Sequence, residues 1–265
     1  MRYTLDTADV FDFGFFRGRN IKMALPDRHD YLQRFARENS RLWQEDVMGW
    51  ALRYMPLSPC VVDVGSYVGN SAIWFAAVAG ARSVTAIEPD EWSYSLLETN
   101  VRLNGLEGIV RTVNSAVWDK PGTACVHIDS VDNHAAVQYR PVPDGVDFGP
   151  GMSVPMDTID SIMADRKDKV DLLLLDMEGY DYRAVRGAHG LVSGDRPVMM
   201  VTTFPPTAKT MDPAYDSLQG YLNLVSGLAD LGYESVGRLF NTTVFLPKEK
   251  LEALGVDISR ATGGR

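Results

Sequence analysis

Apolar residues along the 265-residue chain fall into two alternating kinds of run. Short, continuously apolar stretches at 60–64, 83–87, 109–113, 170–175 and 197–202 read as strands buried on both faces. A further strand is expected at 125–128, and a closing pair at 233–238 and 242–246. Between them the apolar positions recur at helical spacing, which predicts helices over 70–78, 91–103, 157–165, 182–186 and 215–231. Gly105 supplies the stop for the second of these. Strand alternating with helix predicts an α/β fold around a buried, mostly parallel sheet.

The first 58 residues have a different pattern. Residues 1–26 mix aromatic and polar positions and predict one or two short strands or an extended arm, and residues 28–54 carry helical spacing closed by Pro56 and Pro59. The pattern thus divides the chain into an N-terminal arm and helical cap over 1–58, a core domain over 59–247 and a C-terminal tail over 248–265, with 261–265 expected to be disordered. The segment 141–155, with four prolines and three glycines, predicts a loop beside the site, and 204–212 a second loop after a strand's carboxyl end.

Chemistry concentrates where the first core strand ends. Val61-Val62-Asp63-Val64-Gly65-Ser66-Tyr67-Val68-Gly69-Asn70 reads as strand, tight turn and helix start. Gly65 and Gly69 would let the backbone approach a ligand closely. Glu88 follows Gly69 by 19 residues and closes the next strand, where a carboxylate accepts hydrogen bonds from a ribose diol. A dinucleotide fingerprint needs G-x-G-x-x-G for its pyrophosphate. The spacing here is D-V-G-x-x-x-G, without the middle glycine and with Asp63 two residues before the first. That suits a cofactor with a ribose and an amino-acid end, S-adenosylmethionine, over a nicotinamide. Tyr67 is placed to stack on the methionine end, and Asn70 to begin the helix over it.

The segments that follow carry a family resemblance. Glu88-Pro89-Asp90, Leu96-Leu97-x-x-Asn100-x-x-x-Asn104-Gly105, Asn114-Ser115-Ala116-Val117, Met156-Asp157-Thr158-Ile159-Asp160 and Val170-Asp171-Leu172-Leu173-Leu174-Leu175-Asp176-Met177-Glu178-Gly179 resemble the FkbM-family methyltransferases. The match runs over about residues 42–201. The resemblance implies a Rossmann-like class I methyltransferase fold, with a seven-stranded sheet ending in an antiparallel hairpin and an N-terminal strand and helix extension. It also implies S-adenosyl-L-methionine as cofactor, and Asn114, Ser115 and Ala116 beside the adenine. Four positions depart from the family pattern. Tyr67 stands where Asn is usual, Leu174 where Lys is usual and Asp181 where Glu is usual, and Val201-Thr202-Thr203-Phe204 lacks the common Glu.

Asp176 ends an apolar strand and is the leading candidate for an active-site acid acting on the acceptor, with Glu178 supporting. His134, before the Pro/Gly-rich loop, could serve as base instead. Asp176, Glu178 and Asp181 could also hold a divalent cation, but no metal is assigned. Glu45 could meet the donor's amino group or be a surface carboxylate. The expected activity is methyl transfer to a hydroxyl of a small natural product or sugar. An N-methyltransferase is the alternative, followed by a NAD-binding Rossmann protein or a non-catalytic scaffold.

Composition narrows the partners. A net charge of −9 argues against nucleic acid and anionic membranes. Arg28, Arg34, Arg37 and Arg41 form either a local basic patch or a solvated helix face. No run approaches the apolar length of a membrane span, and the opening residues predict no secretory leader. Cys60 and Cys125 have no disulfide or metal spacing and are expected to be buried thiols in a cytoplasmic protein, with a homodimer surface possible on the N-terminal cap.

Overall fold

The computed structural model describes residues 2–128, 137–142, 153–177, 179–202 and 217–255. The chain opens with an antiparallel hairpin, β1 (Val10–Phe16) and β2 (Arg19–Ala24). Its turn residues Arg17 and Gly18 are both left-handed, at φ +48° and +82°, as a tight hairpin requires. Then come α1 (Tyr31–Asn39), capped by the Asp30 carboxylate, and α2 (Glu45–Ala51).

The core runs β3 (Cys60–Val64), α3 (Asn70–Ile73), β4 (Ser83–Ile87), α4 (Glu91–Leu103) and β5 (Val110–Val113). Helix α3 widens into a π-helical turn over Trp74–Ala79 and ends at Gly80. Four strands follow: β6 (Ala116–Val117), β7 (Gly122–Ile128), β8 (Val137–Pro141) and β9 (Ser153–Asp157). The rest is α5 (Ile159–Ile162), β10 (Leu172–Leu175), α6 (Asp181–Gly187), α7 (His189–Asp195), β11 (Val198–Thr202), α8 (Ser217–Asp230), β12 (Tyr233–Leu239), β13 (Thr242–Pro247) and α9 (Lys248–Leu254).

The central sheet has seven strands in the order β12-β13-β11-β10-β3-β4-β5. Only β13 runs against the others, pairing antiparallel with both β11 and β12. From β3 the chain winds outward through β4 and β5, then returns to lay β10 on the other side of β3. The carboxyl edge between β3 and β10 is therefore the switch point where open α/β sheets bind ligands. Burial on both faces accounts for the continuous apolar runs. Leu174 packs with Val61 and the N-terminal cap, whereas Leu173 and Leu175 pack with Val62 and Val64 on the other side.

Two asparagines of α4 dock the N-terminal hairpin. Asn100 Oδ1 accepts the Ala24 N–H at 2.6 Å and Asn104 Oδ1 accepts the Lys22 N–H at 3.0 Å, while each side-chain amide donates back to the same residue's carbonyl. Four helical residues rise about 6 Å and two strand residues about 6.6 Å. The two side chains thus match the strand's repeat and act as a substitute neighbour for β2. Arg37 Nη2 adds bonds to the carbonyls of Asp9 and Leu25, both at 2.7 Å. Arg34 pairs with Glu38, Arg37 is turned inward and Arg41 pairs with Glu45 and Asp46, so three of the four arginines are engaged within the chain.

Several expectations change. The predicted helix over 157–165 is a single turn, because Asp157 belongs to β9 and its carbonyl accepts the Trp118 N–H. The expected loop over 141–155 begins and ends in strand, within a second sheet of order β6-β9-β7-β8 that the sequence signalled only at 125–128. Lys248–Leu254 is helical and buries Leu251. Cys60 is buried, but Cys125 is only half-buried. The tail 261–265 and the loop 204–212 lie outside the described residues. Among the described residues, no helix is long and apolar enough to cross a membrane.

Candidate functional site

The turn after β3 is built from left-handed residues, with Gly65 at φ +83°, Tyr67 at +50° and Gly69 at +95°. The space a side chain would take at Gly65 and Gly69 is filled by protein. A Cβ on Gly65 would lie 2.1 Å from the Asp176 carbonyl oxygen, and one on Gly69 would lie 2.8 Å from Leu97 Cδ1. The first lets β3 and β10 converge, and the second seats α3 on α4. Ile87 O accepts both the Gly65 and Ser66 N–H groups, at 3.0 and 3.1 Å, which ties the turn to β4.

Two buried acids flank this turn. Asp63 lies on the same face of β3 as Val61, where the strand pattern calls for an apolar residue. Its Oδ2 accepts the hydroxyls of Ser71 at 2.7 Å and Ser66 at 2.9 Å. Its Oδ1 is buried without a hydrogen-bond partner. Burial pushes the carboxyl up to about 6, against the lowering effect of the two serines and the Ala72 N–H. Glu88 Oε2 accepts the Tyr67 N–H at 2.8 Å and Oε1 accepts the Asp90 N–H at 2.9 Å. Burial raises it to about 8, with the Asp90 and Asp63 charges adding to the rise.

These groups fit a nucleoside with a cationic end. Each Glu88 oxygen has one N–H bond and capacity for a second, which two ribose hydroxyls can fill. A nearby ammonium or sulfonium would favour the ionised form of both acids.

Three predicted adenine-side residues lie at the ends of β5 and β6. Asn114 Nδ2 donates to the carbonyls of Glu88 at 2.8 Å and Pro89 at 3.0 Å, fixing the β4 exit. Ser115 is buried with its hydroxyl on the Ala116 and Pro155 carbonyls, and Ala116 is fully buried. Two other candidates have side chains engaged elsewhere. Asn70 bonds both the N–H and the carbonyl of Trp43, at 2.7 and 2.9 Å, which ties the cap to α3. Tyr67 is buried, and its hydroxyl accepts from Gln33 Nε2 at 2.6 Å, so the ring is enclosed by the cap. Glu45 is held by Arg41.

On the other side of β3, Leu175 pairs with Val64 and with Val201. Asp176 therefore leaves β10 level with Gly65, and its N–H donates to Val64 O at 3.0 Å. Beside it Thr202 and Thr242 are buried with hydroxyls 3.4 Å apart, and Thr242 donates to Gln44 Oε1 at 3.0 Å. Asp181 turns back into its own loop, where its carboxylate accepts the Met177 N–H at 3.2 Å, and burial raises it to about 7. Glu178 and His134 lie outside the described residues. His189 starts α7 and is exposed. Among the described residues, no His, Cys, Asp and Glu cluster could hold a metal ion.

Sequence reasoning missed Gln33, Asp30 and the roles of Asn100 and Asn104. The asparagines stand at i, i+4 spacing within the family motif, which was a usable signal, whereas Gln33 on an exposed-looking helix gave none.

A seven-stranded sheet with this strand order, one antiparallel strand near its edge and helices between its strands define a class I methyltransferase fold. The chain belongs to the FkbM methyltransferase domain family, which matches residues 63–234. The matched family is one of methyltransferases. No curated protein matches the chain at a significant level. Among solved structures it is similar to the methyltransferase FkbM of Methylobacillus flagellatus KT, at 17% identity and TM-score 0.49, covering 71% of this chain and 43% of that one. The chain therefore spans less than half the length of that protein. It is also similar to an O-methyltransferase from Bacillus cereus in complex with SAH, at 12% identity and TM-score 0.47, covering 76% of this chain and 77% of that one. A ribosomal protein L11 methylase from Lactobacillus delbrueckii subsp. bulgaricus matches at 17% identity and TM-score 0.43, covering 75% and 73%.

Proposed function

We propose that this chain methylates a hydroxyl oxygen of a small, neutral, hydroxylated molecule of the sugar or natural-product kind, with Asp176 taking the hydroxyl proton. The observation that carries the reading is the register of β3, β10 and β11, which brings Asp176 out level with Gly65 and Thr202. S-adenosylmethionine supplies an electrophilic methyl group. The chain's own part is to hold donor and acceptor in line and to remove a proton as the acceptor oxygen attacks. Glu88 and Asp63 would hold the ribose and the cationic end, with Asn114, Ser115 and Ala116 at the adenine. The neutral hydroxyl and amide groups of Thr202, Thr242 and Gln44 support an uncharged acceptor.

The test is methyl transfer to a panel of sugars, phenols and amines by the wild type and Asp176→Asn. The substitution should leave S-adenosylhomocysteine affinity unchanged and lower turnover on hydroxyl acceptors by roughly 100-fold or more. Normal turnover would contradict the role, and transfer to amines alone would make this an N-methyltransferase.

A further inference from the structure

Tyr67 combines three features. It is left-handed, at φ +50°, a conformation that strains a bulky side chain. Its ring is buried, and its hydroxyl is held by Gln33 Nε2 and by the Asp30 carboxylate. Its backbone N–H, directed by that conformation, donates to Glu88 Oε2. Gln33 is itself fixed, since its Oε1 accepts the Asp27 N–H at 2.9 Å and its N–H donates to Asp30 Oδ1 at 2.9 Å. Gln33 and Asp30 are both buried. A chain of hydrogen bonds therefore runs from the start of α1 through the phenol and the turn to the acid at the end of β4.

We infer that Tyr67 is a positioning residue, clamped by Gln33 so that its N–H orients the Glu88 carboxylate, and that this clamp couples the N-terminal cap to donor binding. The inference rests on the proposed donor role of Glu88. It assigns residues 27–33 a part in donor affinity although none of them need touch the donor. It also accounts for an aromatic residue held in a conformation that glycine or asparagine adopts with less strain: the buried anchor offsets the backbone cost.

The test is S-adenosylhomocysteine affinity by calorimetry for the wild type, Tyr67→Ala, Tyr67→Asn and Gln33→Leu, at a temperature where circular dichroism shows each folded. Tyr67→Ala loses the anchor and keeps the strain, so affinity should fall roughly tenfold. Tyr67→Asn should recover most of it, because asparagine tolerates left-handed backbone. Gln33→Leu should fall between the two.

A purely structural role would not move two further readouts. The Tyr67 N–H lowers the Glu88 pKa, whereas the facing Asp90 and Asp63 raise it. The pH at which affinity levels off should therefore rise in Tyr67→Ala. Amides of residues 27–34 should gain exchange protection on ligand binding in the wild type and lose that gain in Tyr67→Ala. Should Tyr67→Ala not fold, Tyr67→Phe removes the hydroxyl alone and should show the same pH displacement with a smaller loss. Wild-type affinity and pH dependence in the folded variants would overturn the inference, as would Tyr67→Asn binding no better than Tyr67→Ala. A wild type that does not bind S-adenosylhomocysteine would instead overturn the donor reading.

Discussion

The carbonyl oxygen of Asp176 occupies the place where a side chain on Gly65 would begin, 2.1 Å from an ideal Cβ. The glycine turn and the proposed acceptor acid are thereby in backbone contact, and Gly65 cannot carry a side chain without moving β10. Gly65→Ala should destabilise the protein by about 3 kcal/mol or more, since both a backbone clash and a left-handed φ oppose it. Gly49→Ala is the contrasting case. Gly49 sits in α2 with open space around its Cβ position, and alanine there should stabilise by about 0.5–1 kcal/mol. Denaturant unfolding of both variants checks the opposite signs.

Asn100 makes three buried hydrogen bonds, two to Ala24 and one to Val68 O at 2.9 Å, so it joins the hairpin to the glycine turn. Asn100→Ala would leave buried backbone groups without partners, at a cost of about 2–3 kcal/mol. Asn104→Ala, nearer the surface, should cost less. Thermal melts of the two variants distinguish the sites.

Three buried acids give the donor-free protein an unusual pH dependence. Asp63, Asp181 and Glu88 are raised to about 6, 7 and 8 in the fold. The native state therefore holds protons that the unfolded state has lost. Their contribution is fully present below their unfolded values near 4 and is lost as pH rises through the folded values. Each group lowers stability by about 1.4 kcal/mol per pH unit within its window. The melting temperature should fall between pH 5 and 8.5, and a flat profile would contradict the buried protonated acids.

Glu88→Gln removes the last of these titrations and one acceptor of the proposed ribose contact. Its melting temperature should fall less between pH 7 and 8.5 than that of the wild type, whereas its S-adenosylhomocysteine affinity should drop at least roughly tenfold, by the loss of a charge-assisted hydrogen bond. In the wild type, affinity should rise as pH approaches 8 and Glu88 ionises. Melts and titrations in the same buffers test both signs together.

The main frame was legible because short, continuously apolar runs bounded by turns, too short for a buried helix and rich in branched residues, fit strands covered on both faces. Val61 to Val64 and Leu172 to Leu175 are buried on both faces, and periodicity reports that directly. Asp63 and Glu88 were legible for the converse reason, being acids in or at the end of runs that should be apolar throughout. The second sheet was not legible. Its β6 has two residues and its β8 and β9 contain Pro141 and Pro155, so local preference favoured loop while pairing to neighbours decided otherwise. Side-chain direction was also beyond reach at Tyr67 and Asn70. Both lie in the glycine turn by sequence, yet their side chains bond partners from the N-terminal cap, Gln33 and Trp43. Such long-range contacts leave no periodic trace.

The central claim, a donor site built on Glu88, is tested most directly by calorimetric titration of the wild type and Glu88→Gln with S-adenosylhomocysteine, with NAD⁺ as the comparison ligand. The wild type is expected to bind S-adenosylhomocysteine and not NAD⁺, and Glu88→Gln to bind it at least roughly tenfold more weakly while remaining folded. Equal affinity of the two proteins, or binding of NAD⁺ alone, would contradict it.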